Sequence, residues 1–184
     1  MSKLDVPVYA HPLEFPFLTG QQAWPDPDTS VEGGMLAKIS FLYPNEPIDI
    51  SERLQPLPSA GNVAELPGWE WIHVPGHAPG QIALFRSGDR ILISADAFIT
   101  VKQDSFYWVF MQKEEVCGPP VYLTTDWSAA YNSVKELAAL NPAVVIPGHG
   151  IAMQDAALKE SLDHLLANWE EEAVPDHGKW VDSV

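Results

Sequence analysis

The chain has 184 residues, 46% hydrophobic and 19% charged, enough apolar material for one globular domain with a true core. Lys plus Arg number 10 against 25 for Asp plus Glu, and the resulting net charge of -15 repels phosphate backbones and anionic bilayers, so neither nucleic acid nor a membrane is expected as partner. A single cysteine, Cys117, excludes an internal disulfide; with no basic segment and apolar run after Met1, the expected location is the cytoplasm.

Pro7 to Ala10 is short and extended in character, and the prolines between His11 and Thr19 allow only a brief helical turn. Gly20 to Gly34, rich in Asp, Pro and Gly, reads as a loop, and Met35 to Tyr43 as one short helix ended by Pro44. From Asn45 to Gly68 the only strand expected is Leu54 to Leu57. Trp69–Val74, Gln81–Arg86 and Arg90–Ala95 are apolar runs of strand length separated by Pro-Gly and Ser-Gly-Asp punctuation, hence consecutive strands. The aromatic cluster Phe106, Tyr107, Trp108 and Phe110 reads as core, part of it available to line a substrate or partner surface.

Asp126 caps a predicted helix in which Trp127, Ala130, Tyr131, Val134, Leu137 and Ala138 share one face until Asn141-Pro142 stops it. Ala143–Ile146 is a buried-type strand, and Asp155–Glu170 a second helix with Leu158, Leu162, Leu165, Leu166 and Trp169 on its stripe. Strands alternating with helices predict an α/β fold, organised as one domain over residues 1–173 with an acidic tail at 174–184 that is partly ordered and solvated.

Three residues share a placement. His77, Asp96 and His149 each follow the end of a predicted strand, and two stand in Pro-Gly-His turns. If the strands run the same way, the three meet at one rim, because ligands in α/β sheets gather beyond the carboxyl ends of strands. Gly76 and Gly148 free the backbone beside each imidazole. Taken singly, each residue is an ordinary turn or surface group; together they form a nitrogen and oxygen donor set suited to Zn²⁺, Fe²⁺ or Mn²⁺. The other histidines have structural readings: His73 as a strand-end side chain, His11 in a Pro-flanked turn, His164 on a polar helix face and His177 in the tail. The sequence contains no Gly-x-Ser-x-Gly elbow, phosphate-cradling Gly-rich loop or paired Cys motif.

Val74-Pro-Gly-His77-Ala-Pro-Gly, Ile91-Leu-Ile-Ser-Ala-Asp96-Ala-Phe and Val145-Ile-Pro-Gly-His149-Gly resemble, in order, the last three metal-binding motifs of the metallo-β-lactamase superfamily. Pro7-Val-Tyr-Ala-His-Pro-Leu-Glu and Leu123-Thr-Thr-Asp-Trp also resemble segments of its bacterial metallo-hydrolase members, so the resemblance covers nearly the whole chain. It implies a four-layer αββα sandwich of two similar halves with a dinuclear site, commonly zinc, at one edge. By position, His77 would bind the first metal, Asp96 would bridge both and His149 would bind the second.

The family's first ligand motif, His-x-His-x-Asp-His, does not occur in this sequence. By the resemblance it would stand before Val6, so the chain is expected to carry mainly the C-terminal half of the sandwich, with two incomplete metal positions and an apolar sheet face in need of cover. The activity implied is hydrolysis of an ester, thioester, lactam or phosphoester small molecule by hydroxide that two metals acidify and Asp96 orients, and the isolated chain is expected to be inactive or nearly so. Two alternatives stand beside it. One is a non-catalytic half-domain that self-associates or binds a partner chain through the exposed sheet; the other is a mononuclear site with His77, Asp96 and His149 as a two-His-one-carboxylate triad.

Overall fold

The computed structural model describes residues 6–31, 34–42, 45–101 and 115–181. Its centre is a five-stranded sheet in the order β3 (Glu70–His73), β4 (Ile82–Arg86), β5 (Ile91–Ala95), β6 (Val144–Pro147), β7 (Met153–Gln154). β3, β4 and β5 form an antiparallel meander, β5 and β6 pair in parallel, and β6 and β7 pair antiparallel. A parallel neighbour requires a crossover, and helix α3 (Trp127–Ala139) provides it between β5 and β6. It follows that β3, β5 and β6 all run the same way and end at one edge.

Strand alternation divides the sheet into two unlike faces. Ala83, Phe85, Leu92, Val145 and Met153 point to one side and are buried in a single cluster with Trp127, Ala130, Val134 and Leu137 of α3 and Leu158, Leu162 and Leu165 of α4 (Asp155–Ala167). Leu92, Leu137, Leu158 and Leu165 lose all contact with solvent, each worth about 1.5–3 kcal/mol against an exposed position. The opposite face carries Leu84, Ile93 and Ile146 in register, and these stay half-buried or, for Ile146, 44% exposed.

Near the β3 edge that face meets the N-terminal segment. There β1 (Val8–Ala10) and β2 (Leu54–Pro56) form a parallel pair, His11 stacks on His73 with ring centroids 4.1 Å apart, and the Trp71 indole N–H donates to Pro58 O at 2.9 Å. Between β1 and β2 lie α1 (Phe15–Leu18), preceded by a tight turn at Pro12–Glu14, and α2 (Gly34–Ile39), which tightens into a 3-10 turn at Ser40–Leu42.

The Asp126 carboxylate accepts from Ala129 N at 2.8 Å, capping α3, and Asn141 adopts a left-handed φ of 50° just before Pro142, closing its other end. The last predicted helix breaks at Asn168, whose side-chain amide donates to His164 O at 2.8 Å, and a short α5 (Trp169–Glu172) follows. The described part of the expected acidic tail is not a solvated terminus. Ala173 is buried, Val174 and Val181 pack on the core, and the His177 ring bonds Ser30 O at 2.7 Å. Lys179 N donates to the buried Asp28 carboxylate at 2.5 Å, so residues 173–181 are strapped to the loop around Asp28. The Phe106–Phe110 cluster lies outside the described residues.

Candidate metal centre

The common edge of β3, β5 and β6 brings together all three residues singled out from the sequence. Asp96 Oδ2 lies 3.7 Å from His77 Nε2, and Asp96 Oδ1 lies 3.7 Å from His149 Nε2. These separations are too long for hydrogen bonds. With metal–nitrogen and metal–oxygen bonds of about 2.1 Å, two donors that far apart would subtend roughly 120° at an ion between them, within the range such coordination adopts.

The carboxylate itself carries the sharper signal: Asp96 Oδ1 is buried and has no hydrogen-bond partner. A buried, unpaired anionic oxygen is costly unless a cation completes it. Because each imidazole addresses a different oxygen, the set divides into two His–carboxylate pairs sharing Asp96. Among the described residues, no three His, Cys, Asp or Glu side chains close on one point well enough to hold an ion unaided.

Local sequence explains how each group is aimed. Ala95, before the aspartate, takes a left-handed φ of 48° where the β5–β6 register slips, which turns Asp96 out of the strand. His77 has its Nδ1 3.4 Å from Thr124 Oγ1, which donates its own hydrogen to Pro120 O at 2.8 Å. The threonine oxygen therefore accepts from Nδ1–H, leaving the Nε2 lone pair toward Asp96. Burial pushes the His77 pKa below its ordinary value, with Asp96 opposing and His149 reinforcing that shift, so the ring is neutral and able to act as a ligand. His149 is held through its backbone, whose carbonyl accepts from Thr100 N at 3.1 Å.

The glycines serve packing more than ring freedom. A methyl at Gly76, where φ is 133°, would stand 2.5 Å from the backbone N and Cα of Ala130, so this glycine admits the close approach of α3. Its carbonyl accepts from both Thr125 N and Asp126 N at 3.1 Å, tying the His77 turn to the helix start. A methyl at Gly148 would collide with Asp96 Oδ1, so that glycine makes room for the carboxylate.

Sequence reasoning missed Glu14. Its side chain is 8% exposed, and its Oε1 accepts from Gly80 N at 2.5 Å, while the His73 Nε2–H donates to Pro79 O at 2.8 Å. Both ends of the Pro79–Gly80 peptide that closes the His77 turn are thereby held. Desolvation raises the Glu14 pKa, against the bond from Gly80 and the nearby His73. A glutamate in Pro-Leu-Glu gives no sign of this, because its partner is 66 residues away. His11, His164 and His177 all stand away from the rim: His11 on His73, His164 paired with Glu172 at 2.7 Å, and His177 on Ser30.

Beside His77 opens a cavity of about 220 Å³ walled by Trp24, Pro25, Pro27, Asn45, Ala78, Pro79 and Leu123. Its composition is mainly apolar, and His77 is the wall it shares with the rim.

A family model described as the metallo-beta-lactamase superfamily matches residues 1–149. The "Probable metallo-hydrolase YflN" of Bacillus subtilis (strain 168) is 44% identical over 161 residues, covering 88% of this chain and 61% of that protein. The "Probable metallo-hydrolase YybB" of the same organism is 25% identical, covering 82% of this chain and 56% of that protein. The chain thus spans about three-fifths of the length of these curated relatives. Among solved structures, TTHA1623 in a di-iron-bound form superposes with a TM-score of 0.55 at 26% identity, over 85% of this chain and 63% of that one. The metallo-beta-lactamase family protein TTHA1429 from Thermus thermophilus gives a TM-score of 0.53 at 18% identity, over 89% of this chain and 52% of that one, a likeness of fold. With its parallel strands delivering two histidines and an aspartate to one edge, the chain belongs to the metallo-β-lactamase superfamily.

Proposed function

We propose that this chain contributes His77, Asp96 and His149 to a dinuclear centre of a metal-dependent hydrolase, with Asp96 shared between the two metal positions. The supporting observation is the buried, unpartnered Asp96 Oδ1 placed between two imidazoles that address opposite oxygens of its carboxylate. Two nitrogens and a carboxylate suit zinc and iron alike; zinc follows from the family resemblance, and the di-iron-bound relative supports iron equally. When bound, such ions supply Lewis acidity that acidifies water and polarises the scissile bond of an ester, thioester, lactam or phosphoester. This chain's own residues orient and shield: Thr124 fixes the His77 tautomer, Ala95 and Gly148 set the carboxylate, and Asp96 would offer one oxygen to each metal position.

Among the described residues each position receives two protein ligands, whereas catalytic zinc keeps about three. The chain by itself is therefore a weak metal binder with little or no turnover, and full activity needs further ligands from another polypeptide segment or chain. Titration of the purified chain with Zn²⁺ and Fe²⁺ tests this. Weak binding that disappears in Asp96→Ala supports the reading, and a metal affinity indifferent to Asp96→Ala overturns it.

A second reading, an interaction module without catalysis, is favoured by the apolar row Leu84, Ile93 and Ile146 on the sheet face away from α3 and α4. A second copy or a partner chain would cover that face. Sedimentation of the chain, with and without Ile146→Lys, tests the second copy: concentration-dependent association abolished by the lysine supports self-association through this face, and a monomer throughout removes self-association.

A further inference from the structure

We propose that the cavity beside His77 binds an uncharged apolar group, an aryl ring or short branched alkyl, belonging to the molecule on which the metal centre acts. The assignment of an acted-on molecule rests on the hydrolase reading above; the binding chemistry rests on the cavity alone.

Carbon surface from Trp24, Pro25, Pro27, Ala78, Pro79 and Leu123 makes most of the wall, and among the described residues no Lys or Arg lines it. The one side-chain amide among the described wall residues, Asn45, spends its donor group on the Asp26 carboxylate at 2.5 Å and on Trp24 O at 3.5 Å. A carboxylate or phosphate entering the cavity would lose its hydration without meeting a cation or a free amide donor, and it would approach Asp26. An apolar group loses nothing of the kind and gains burial. In size, an apolar cavity of about 150 Å³ accommodates benzene. The cavity beside His77, at about 220 Å³, suits a ring with a small substituent.

The wall is formed in advance of any ligand, which lowers the entropic cost of binding. Trp24 stacks on Phe17 with centroids 4.3 Å apart and planes 15° from parallel, and its backbone N–H donates to Asn45 O at 3.0 Å. Two prolines stiffen the loop after it. Asp28 then anchors the loop end: its N–H donates to Tyr122 O at 2.8 Å and its carboxylate accepts from Ser30 N at 2.9 Å and from Lys179 N at 2.5 Å. The strap at residues 177–181 thus has a consequence for binding, because it holds the loop that carries Trp24, Pro25 and Pro27. His77 forms one wall while its Nε2 faces Asp96, so a group seated in the cavity leaves its polar end at the metal rim.

The test uses the full chain without added metal and ligand-observed fluorine NMR, with 4-fluorophenylacetamide as the neutral probe and 4-fluorophenylacetate as its anionic counterpart. The amide is expected to bind with a dissociation constant of about 1 mM, and the acetate at least about tenfold more weakly, a difference of about 1.4 kcal/mol. Trp24→Ala, which removes a wall, and Ala78→Phe, which fills the space, should each weaken the amide about tenfold. Ala78→Phe carries the test if loss of the Trp24–Phe17 stack unfolds the loop. Equal binding of amide and acetate, no binding of the amide at about 10 mM, or native binding by a folded Ala78→Phe overturns the proposal. Since no metal enters this experiment, its failure is separate from that of the hydrolase reading, which the Zn²⁺ and Fe²⁺ titrations decide.

Discussion

Gly148→Ala separates the metal centre from the fold that carries it. The added methyl would stand inside van der Waals contact of Asp96 Oδ1, 3.2 Å from Asp96 Cγ and 3.3 Å from the Ala95 carbonyl carbon. Gly148 is not among the left-handed residues, so alanine strains no backbone torsion there. The clash is with the end of a half-buried side chain, which can swing away by about 1 Å to reach an ordinary contact of about 3.5 Å. Folding stability should therefore change by less than about 1 kcal/mol. Metal bonds tolerate only about 0.2 Å of displacement, so the moved carboxylate can no longer serve both positions. Losing an oriented ligand costs at least as much as losing its support, about 100-fold in affinity or about 2.7 kcal/mol. Cobalt titration followed by absorption, with thermal unfolding of the same sample, measures both quantities. A native cobalt affinity in Gly148→Ala would refute the geometry, and so would a melting temperature lowered by more than about 5 °C.

The opposite pattern is expected at Gly76. Gly76→Ala puts a methyl 2.5 Å from the Ala130 backbone at a φ of 133°, and neither the torsion nor the helix can yield cheaply. Strain and overpacking together should cost about 4 kcal/mol, seen in calorimetry as a melting temperature lowered by roughly 8–16 °C. Glu14→Gln tests the buried carboxyl. Its folded pKa is raised above the unfolded 4.5, so the folded chain holds the proton longer, and the native protein loses this contribution as pH rises above about 4.5 and through the folded value. The glutamine variant has no such loss, and its melting temperature relative to native should rise as pH climbs from about 4.5, then level off once pH has passed the folded value. A difference that is flat with pH would mean that Glu14 is not desolvated.

The sheet was legible because its strands are apolar runs of strand length between turn signals: Gln81–Arg86 and Arg90–Ala95 are bounded that way, and β4 and β5 fall within a residue of those spans. The α3 stripe ran from a carboxylate cap to Asn-Pro, and the helix ends where those signals stand. β7 escaped notice because two residues cannot show a period. The break at Asn168 depends on a side-chain amide competing for a helix carbonyl, which an apolar stripe does not reveal. The acidic run at the C-terminus suggested solvation, yet small and apolar residues between the charges, Ala173, Val174 and Gly178, decide the packing. At the rim, His77, Asp96 and His149 were findable from their shared position after strands. Glu14, Thr124 and the Trp24 loop were not, since each acts through a contact distant in sequence.

Crystals of the chain grown with Mn²⁺ or Co²⁺ and measured for anomalous scattering address the metal centre most directly. Peaks should appear within about 2.0–2.2 Å of Asp96 oxygens, one toward His77 and one toward His149. Anomalous density absent from this rim at saturating metal, or found only at unrelated carboxylates, would contradict the account.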